Sequence, residues 1–142
     1  MRRFFIILIM FAGLACQNQQ EKKNTSDAKK AGALAKFEIK EEFHNFGTLQ
    51  DGEIASYAFW YKNTGEAALK ISGSETDCGC IQLSVPEEAL MTGDSAYVEV
   101  MYNSAGEVGK TIKTVTLFAN VETKKVQFHI AADVKNKWIE LK

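Results

Sequence analysis

From Phe37 onward the chain is written in short runs in which apolar and polar residues alternate, the pattern of strands with one face buried. Phe37-Glu38-Ile39-Lys40-Glu41-Glu42-Phe43 reads as a first strand, and His44-Asn45-Phe46-Gly47-Thr48-Leu49 continues it to a turn at Gln50-Asp51-Gly52-Glu53. The run after Ile54 places Tyr57, Phe59 and Tyr61 on one face and Trp60 on the other, so Phe59 and Tyr61 are expected in the core. Asn63-Thr64-Gly65-Glu66 is a turn, and Leu69-Lys70-Ile71-Ser72-Gly73 leaves it as another strand. Ile81-Gln82-Leu83-Ser84-Val85 alternates until Pro86, which has no N–H to give to a ladder. Pro86 to Asp94 reads as a connection with one helical turn at Glu87-Glu88-Ala89-Leu90. Val98, Val100 and Tyr102 then point inward, and Asn103-Ser104-Ala105-Gly106 is the next turn. The two longest runs are joined by a hairpin around Asn120 to Thr123. Lys110 to Ala119 offers Val115, Leu117 and Ala119, and Lys124 to Val134 offers Val126, Phe128, Ile130, Ala132 and Val134. Trp138 to Lys142 reads as a tail. Short strands, regular turns and no sustained helical period predict a small all-β, antiparallel β-sandwich.

The pattern before Phe37 is different. Arg2-Arg3 precede the apolar run Phe4 to Ala15, which is too short for a bilayer core of about 30 Å and suits the hydrophobic region of a signal peptide. Gly13-Leu14-Ala15-Cys16 closes it, and this ending resembles a bacterial lipoprotein signal. The resemblance implies cleavage before Cys16 and acylation of that cysteine. Gln17 to Ala35 holds Leu34 as its only larger apolar residue and is expected to be a disordered tether. The expected organisation is thus a signal peptide at 1–15, a lipidated cysteine and tether at 16–35, a β-sandwich at 36–135 and a tail at 136–142.

Charge then narrows the partners. The 142 residues carry 17 basic and 18 acidic side chains; removing 1–15 leaves 15 basic against 18 acidic, a formal charge of −3. No basic field invites nucleic acid. The expected destination is the cell envelope, membrane-anchored and facing the periplasm or the cell surface, where disulfides persist.

Of three cysteines, lipidation of Cys16 leaves Cys78 and Cys80 as a pair in Asp77-Cys78-Gly79-Cys80-Ile81. Three readings stay open: a structural pair at a strand end, a thiol redox pair, or a soft-metal site, for instance for copper(I). In an extended segment the two Cβ atoms lie about 7 Å apart, whereas a disulfide needs about 3.8 Å, so a bond requires a bend at Gly79. No further ligands stand nearby in sequence, so no metal or other cofactor is expected. His44 and His129 are expected far apart on the surface, neither serving as a base for a cysteine. Trp60, Trp138 and an outward Met101 are candidates for an aromatic binding patch. With no catalytic constellation, the chain is not expected to be an enzyme.

Several of these pieces fall in one order: Asn45-Phe46-Gly47-Thr48, Phe59-x-Tyr61-x-Asn63-Thr64-Gly65, Leu69-x-Ile71, Cys78-Gly79-Cys80, Gly93-Asp94, and Lys113-Thr114-Val115-Thr116-Leu117 leading to Asn120. The stretch from Phe37 to Val134 resembles the family catalogued as domain of unknown function 1573, common in envelope lipoproteins of Bacteroidetes. That resemblance implies an immunoglobulin-like sandwich, of the type shared with pilus-chaperone-like domains, and no established activity. The leading expectation is a non-catalytic, lipid-anchored protein that presents its domain to a protein partner in the envelope. The alternative is a thiol redox or soft-metal-handling protein centred on Cys78 and Cys80.

Overall fold

A computed structural model describes residues 34–136. The strands are β1 (Phe37–Ile39), β2 (Phe43–Gln50), β3 (Ile54–Asn63), β4 (Ile71–Thr76), β5 (Ile81–Ser84), β6 (Ser95–Asn103), β7 (Gly109–Ala119) and β8 (Lys125–Lys135). They form two four-stranded sheets, ordered β1-β3-β6-β5 and β2-β8-β7-β4. The inner faces carry the expected apolar sets: Phe59, Val98, Val100 and Tyr102 meet Val115, Leu117, Phe128 and Ile130, all almost fully buried. Phe59 and Phe128 join the layers, with ring centroids 4.3 Å apart. The all-β, immunoglobulin-like sandwich is therefore the fold. Five of its six strand pairings are antiparallel, and β2 lies parallel to β8.

That parallel pair corrects the expected continuous first strand. Lys40-Glu41-Glu42 puts three charges in a row, which no half-buried strand accommodates. The chain crosses between sheets there: Lys40 N donates to Trp60 O at 2.9 Å in the first sheet, and His129 N donates to Glu42 O at 2.8 Å in the second. Within β2, Asn45 Oδ1 accepts from Gly47 N at 2.9 Å, and the ladder shifts register between Asn45 and Thr48. Gly47 has φ +76°, which a glycine adopts without penalty, so the Asn-Phe-Gly motif encodes a bulge.

The expected helical turn at Glu87–Leu90 is absent; the described residues contain no helix. Leu69 and Leu90 exchange both backbone hydrogen bonds at 2.8 Å, which holds Leu90 extended. The expected strand at Leu69 to Gly73 begins at Ile71 instead, because the Asn120 side chain bonds Lys70 N and Ala68 O there. Ala35, placed by composition in the tether, is 4% exposed and bridges Val121.

Among the described residues two polar ones, Asn63 and Ser104, are fully buried, and each organises one end of the sandwich. At the upper end, where β3 finishes, Asn63 Oδ1 accepts from Gly65 N (3.0 Å) and Lys36 N (3.4 Å). Its Nδ2 donates to Ala67 O (2.8 Å) and Leu90 O (2.9 Å). One side chain thereby joins the entering chain, the β3–β4 turn and the β5–β6 connection. Gly65 lies so close beneath the entering chain that a Cβ there would come within 2.6 Å of Leu34 O and 2.7 Å of Ala35 C. At the lower end, where β6 and β8 finish, Ser104 Oγ donates to Gln50 O or Glu53 O, at 2.7 and 2.9 Å, tying two turns together.

Candidate functional site

The cysteine stretch forms the passage from one sheet to the other at the lower end. Cys78 and Cys80 are bonded as a disulfide, with Cα atoms 5.1 Å apart, so the bend expected at Gly79 is present. The bend is fixed from both sides. Thr76 Oγ1 donates to Cys78 O at 3.0 Å, and Asn103 N donates to Cys80 O at 2.9 Å. Both cysteines pack half-buried against the core, while Gly79 is exposed with nothing within 4 Å of where a Cβ would stand. Asp77 faces out and is committed elsewhere: its Oδ2 accepts from Thr114 N at 2.6 Å.

The same end collects polar groups that composition did not single out. Lys113 shares the inward phase of Val115 and Leu117 and is 15% exposed at its side chain, with Nζ 2.8 Å from Glu107 Oε1. Tyr102 is fully buried and its hydroxyl has no hydrogen-bond partner among the described residues. Burial, and secondarily the Glu107 carboxylate, push its pKa above the usual phenolic value. A lysine two and four residues before buried apolar positions was a legible signal, since a charge in that phase faces inward. The orphaned hydroxyl had none.

The histidines correct an expectation. They do not lie far apart: β2 and β8 are neighbours, Phe43 pairs His129 and His44 pairs Ile130, so the imidazoles sit on adjacent strands and opposite faces. His129 faces out, its Nδ1 3.3 Å from Thr114 Oγ1. His44 faces in and stacks on Tyr57 at 3.5 Å between centroids, while Tyr57 Oη donates to Glu41 Oε2 at 2.6 Å. Burial lowers the pKa of His44 against a smaller upward pull from Glu41. Among the described residues no group of three or more His, Cys, Asp or Glu side chains stands close enough to hold a metal ion.

A second candidate lies on the outer face of the first sheet, near its upper end. Trp60, 49% exposed, packs against Tyr97, 46% exposed, at 5.1 Å between centroids. A groove of about 410 Å³ runs along each side of Trp60. Glu38, Ile39, Lys40 and Lys62 line one, Ser84, Val85 and Pro86 the other. Met101 also faces out, but farther along β6, opposite Ser56. Of the expected patch, then, Trp60 is joined by Tyr97 rather than by Met101. Cys16, the signal peptide, most of the tether and Trp138 lie outside the described residues.

A family model described as "Protein of unknown function (DUF1573)" matches residues 37–134. Among curated proteins no relative matches. Solved structures share the fold at low identity. A protein of unknown function from Porphyromonas gingivalis W83 aligns with a TM-score of 0.60 at 14% identity, over 71% of this chain and 46% of that one. The VesB protease of Vibrio cholerae aligns at 0.56 and 20%, over 70% and 32%. The ASH/PapD-like domain 7 of human CEP192 aligns at 0.55 and 13%, over 72% and 87%. The chain thus spans about a third of the VesB structure and under half of the Porphyromonas one.

Proposed function

The chain belongs to the DUF1573 family of proteins of unknown function, and on that footing we propose that it is a non-catalytic, lipid-anchored envelope protein whose sandwich docks a protein partner across Trp60. The supporting observation is the Trp60–Tyr97 pair, half-exposed on a sheet face and flanked by a groove on either side. The occupant that fits is an extended acidic segment. Its apolar residues cover the two rings, and its carboxylates meet Lys40 and Lys62, which outnumber the single Glu38 in that groove. A neutral glycan would also use an aromatic platform, but lysines are the wrong edge for it, offering charge where a sugar needs planar, paired hydrogen-bonding groups.

Arrays of extended synthetic peptides and of polysaccharides, probed with the full chain, test this. Acidic peptides should be retained, retention should fall with salt, and Trp60→Ala and Lys40→Glu/Lys62→Glu should abolish it. Retention of polysaccharide instead would move the face to glycan binding. The anchor is tested separately: a fatty-acid analogue fed to cells should label the wild type and leave Cys16→Ser unlabelled, and equal labelling of both would remove the lipid from the proposal.

A further inference from the structure

The outer edge of β3 is covered over only part of its length. β1 pairs Phe37, Glu38 and Ile39 with Asn63, Lys62 and Tyr61, Lys40 N donates the last bond to Trp60 O at 2.9 Å, and the chain then crosses to the other sheet. Below that point, down to Ile54, β3 is paired with β6 alone. Its backbone phase is set by the bonds at its upper end: Asn63 N donates to Asp94 O on the β6 side and Thr64 N to Lys36 O on the β1 side, so even-numbered residues turn N–H and C=O outward. Ile54, Ser56 and Ala58 therefore present three N–H and three C=O groups in a row, and no described residue bonds them. The other free edges are blunted. β1 has three residues and β5 four, and the ladders of β2 and β4 shift register at Asn45/Thr48 and Ile71/Gly73. Ile54-Ala55-Ser56-Tyr57-Ala58-Phe59 has no charge, proline or register shift, the devices that keep an edge from pairing.

We infer that this edge takes an extended segment of the partner protein as an added strand: the acidic segment docked across Trp60 continues below Lys40 by pairing its backbone with Ile54, Ser56 and Ala58. This rests on the docking of a segment across Trp60 and adds how its backbone is held. The two places adjoin, because Lys40 and Trp60 both line the first groove and share the bond that ends the β1 ladder. Main-chain hydrogen bonds supply affinity in such a pairing, and alternate side chains select the sequence. Inward side chains of the added strand meet the His44–Tyr57 stack, whose ring centroids lie 3.5 Å apart between β2 and β3. Outward ones meet Ile54, 60% exposed, and exposed Ser56. Apolar and β-branched residues fit both faces. Charge sets the composition along the segment. Lys40 and Lys62 stand at the upper end of the open stretch, whereas Glu41, held on the Tyr57 hydroxyl at 2.6 Å, and Glu53, next to Ile54 and accepting from Gln50 N at 2.8 Å, flank the rest. Acids therefore belong beside Lys40 and are repelled from the part that pairs with Ile54.

The probe is a synthetic peptide of two glutamates followed by alternating valine and threonine, offered to the full chain carrying Cys16→Ser. Retention should disappear when alternate peptide nitrogens are methylated in one phase and persist when the other phase is methylated, since an added strand turns only every second N–H toward its neighbour. Amide exchange at Ile54, Ser56 and Ala58 should slow by about tenfold on binding, while Ala55, Tyr57 and Phe59, already turned to β6, keep their rates. Ser56→Pro removes an outward donor that the folded chain does not use, and should abolish retention. If that variant fails to fold, the methylated peptides and the exchange rates carry the comparison. A peptide retained through Trp60 but indifferent to both methylation phases, with exchange at Ile54, Ser56 and Ala58 unmoved, overturns strand addition and leaves the Trp60 face standing. No retention of the unmethylated peptide also overturns it, and the arrays of acidic peptides then decide the Trp60 face separately.

Discussion

Phe59 and Trp60 are consecutive and yet occupy opposite environments, 1% and 49% exposed, because successive strand residues face opposite ways. Phe59→Ala empties the contact with Phe128 between the sheets and should cost about 3 to 5 kcal/mol in denaturant unfolding, a large part of a small domain's stability. Trp60→Ala should cost far less; the reverse order would mean that the burial described for this strand is wrong. His44 carries a different prediction. Burial holds its folded pKa below the ordinary 6.5, so as pH falls the unfolded chain takes up the proton first. Its contribution is fully present above about pH 6.5 and is lost as pH falls toward the folded pKa. The difference in stability between wild type and His44→Phe, followed from pH 8 to pH 5, should change in that window, and a flat difference would contradict the account. Glu41 and Tyr57 face the same imidazole and remain in both proteins. Alternation makes Phe59, Val98, Val100 and Phe128 legible as core in the sequence itself. Asn63 was legible only as a turn residue, because its four hydrogen bonds join segments up to 27 positions apart.

The strands themselves were legible wherever one face is apolar, and were misread where a neighbour in space overrides local pattern. Lys40-Glu41-Glu42 breaks the alternation, but only the second sheet explains why the chain leaves the first there. Glu87 to Leu90 suits a helical turn by composition, and Leu69, far back in the chain, holds it extended. For the candidate site, the cysteine pair and the need for a bend at Gly79 were readable from spacing, whereas the hold that Thr76 and Asn103 keep on that bend required the placement of the neighbouring strands. The bend is held by Thr76 and Asn103 as well as by the disulfide, and the loop enclosed is minimal. Cys78→Ser/Cys80→Ser should therefore still fold, with a melting temperature only a few degrees lower. A double variant that failed to fold would show the bond to be the staple of this corner.

At the scale of the molecule, the chain enters the described body at the upper end, beside Gly65 and Val121, and leaves β8 at the lower end, where Asp51 N donates to Lys135 O at 3.0 Å. Ala35 is part of the core, although composition places it with the tether. Deleting residues 17–33 should leave the melting temperature nearly unchanged, whereas extending the deletion through Lys36 should lower it by removing the bridge to Val121 and a partner of Asn63. Equal effects of the two deletions would contradict this boundary. The cysteine pair stands at the opposite end of the body from that entry point. The parallel pairing of β2 with β8 has a mechanical consequence. A pull between Leu34 and Asn136 runs lengthwise along β1, β2 and β8, so the hydrogen bonds of the β2–β8 ladder are loaded in shear, all sharing the force at once. Under tension such a body resists and then ruptures abruptly, where an antiparallel hairpin pulled from its open end would peel apart one bond at a time.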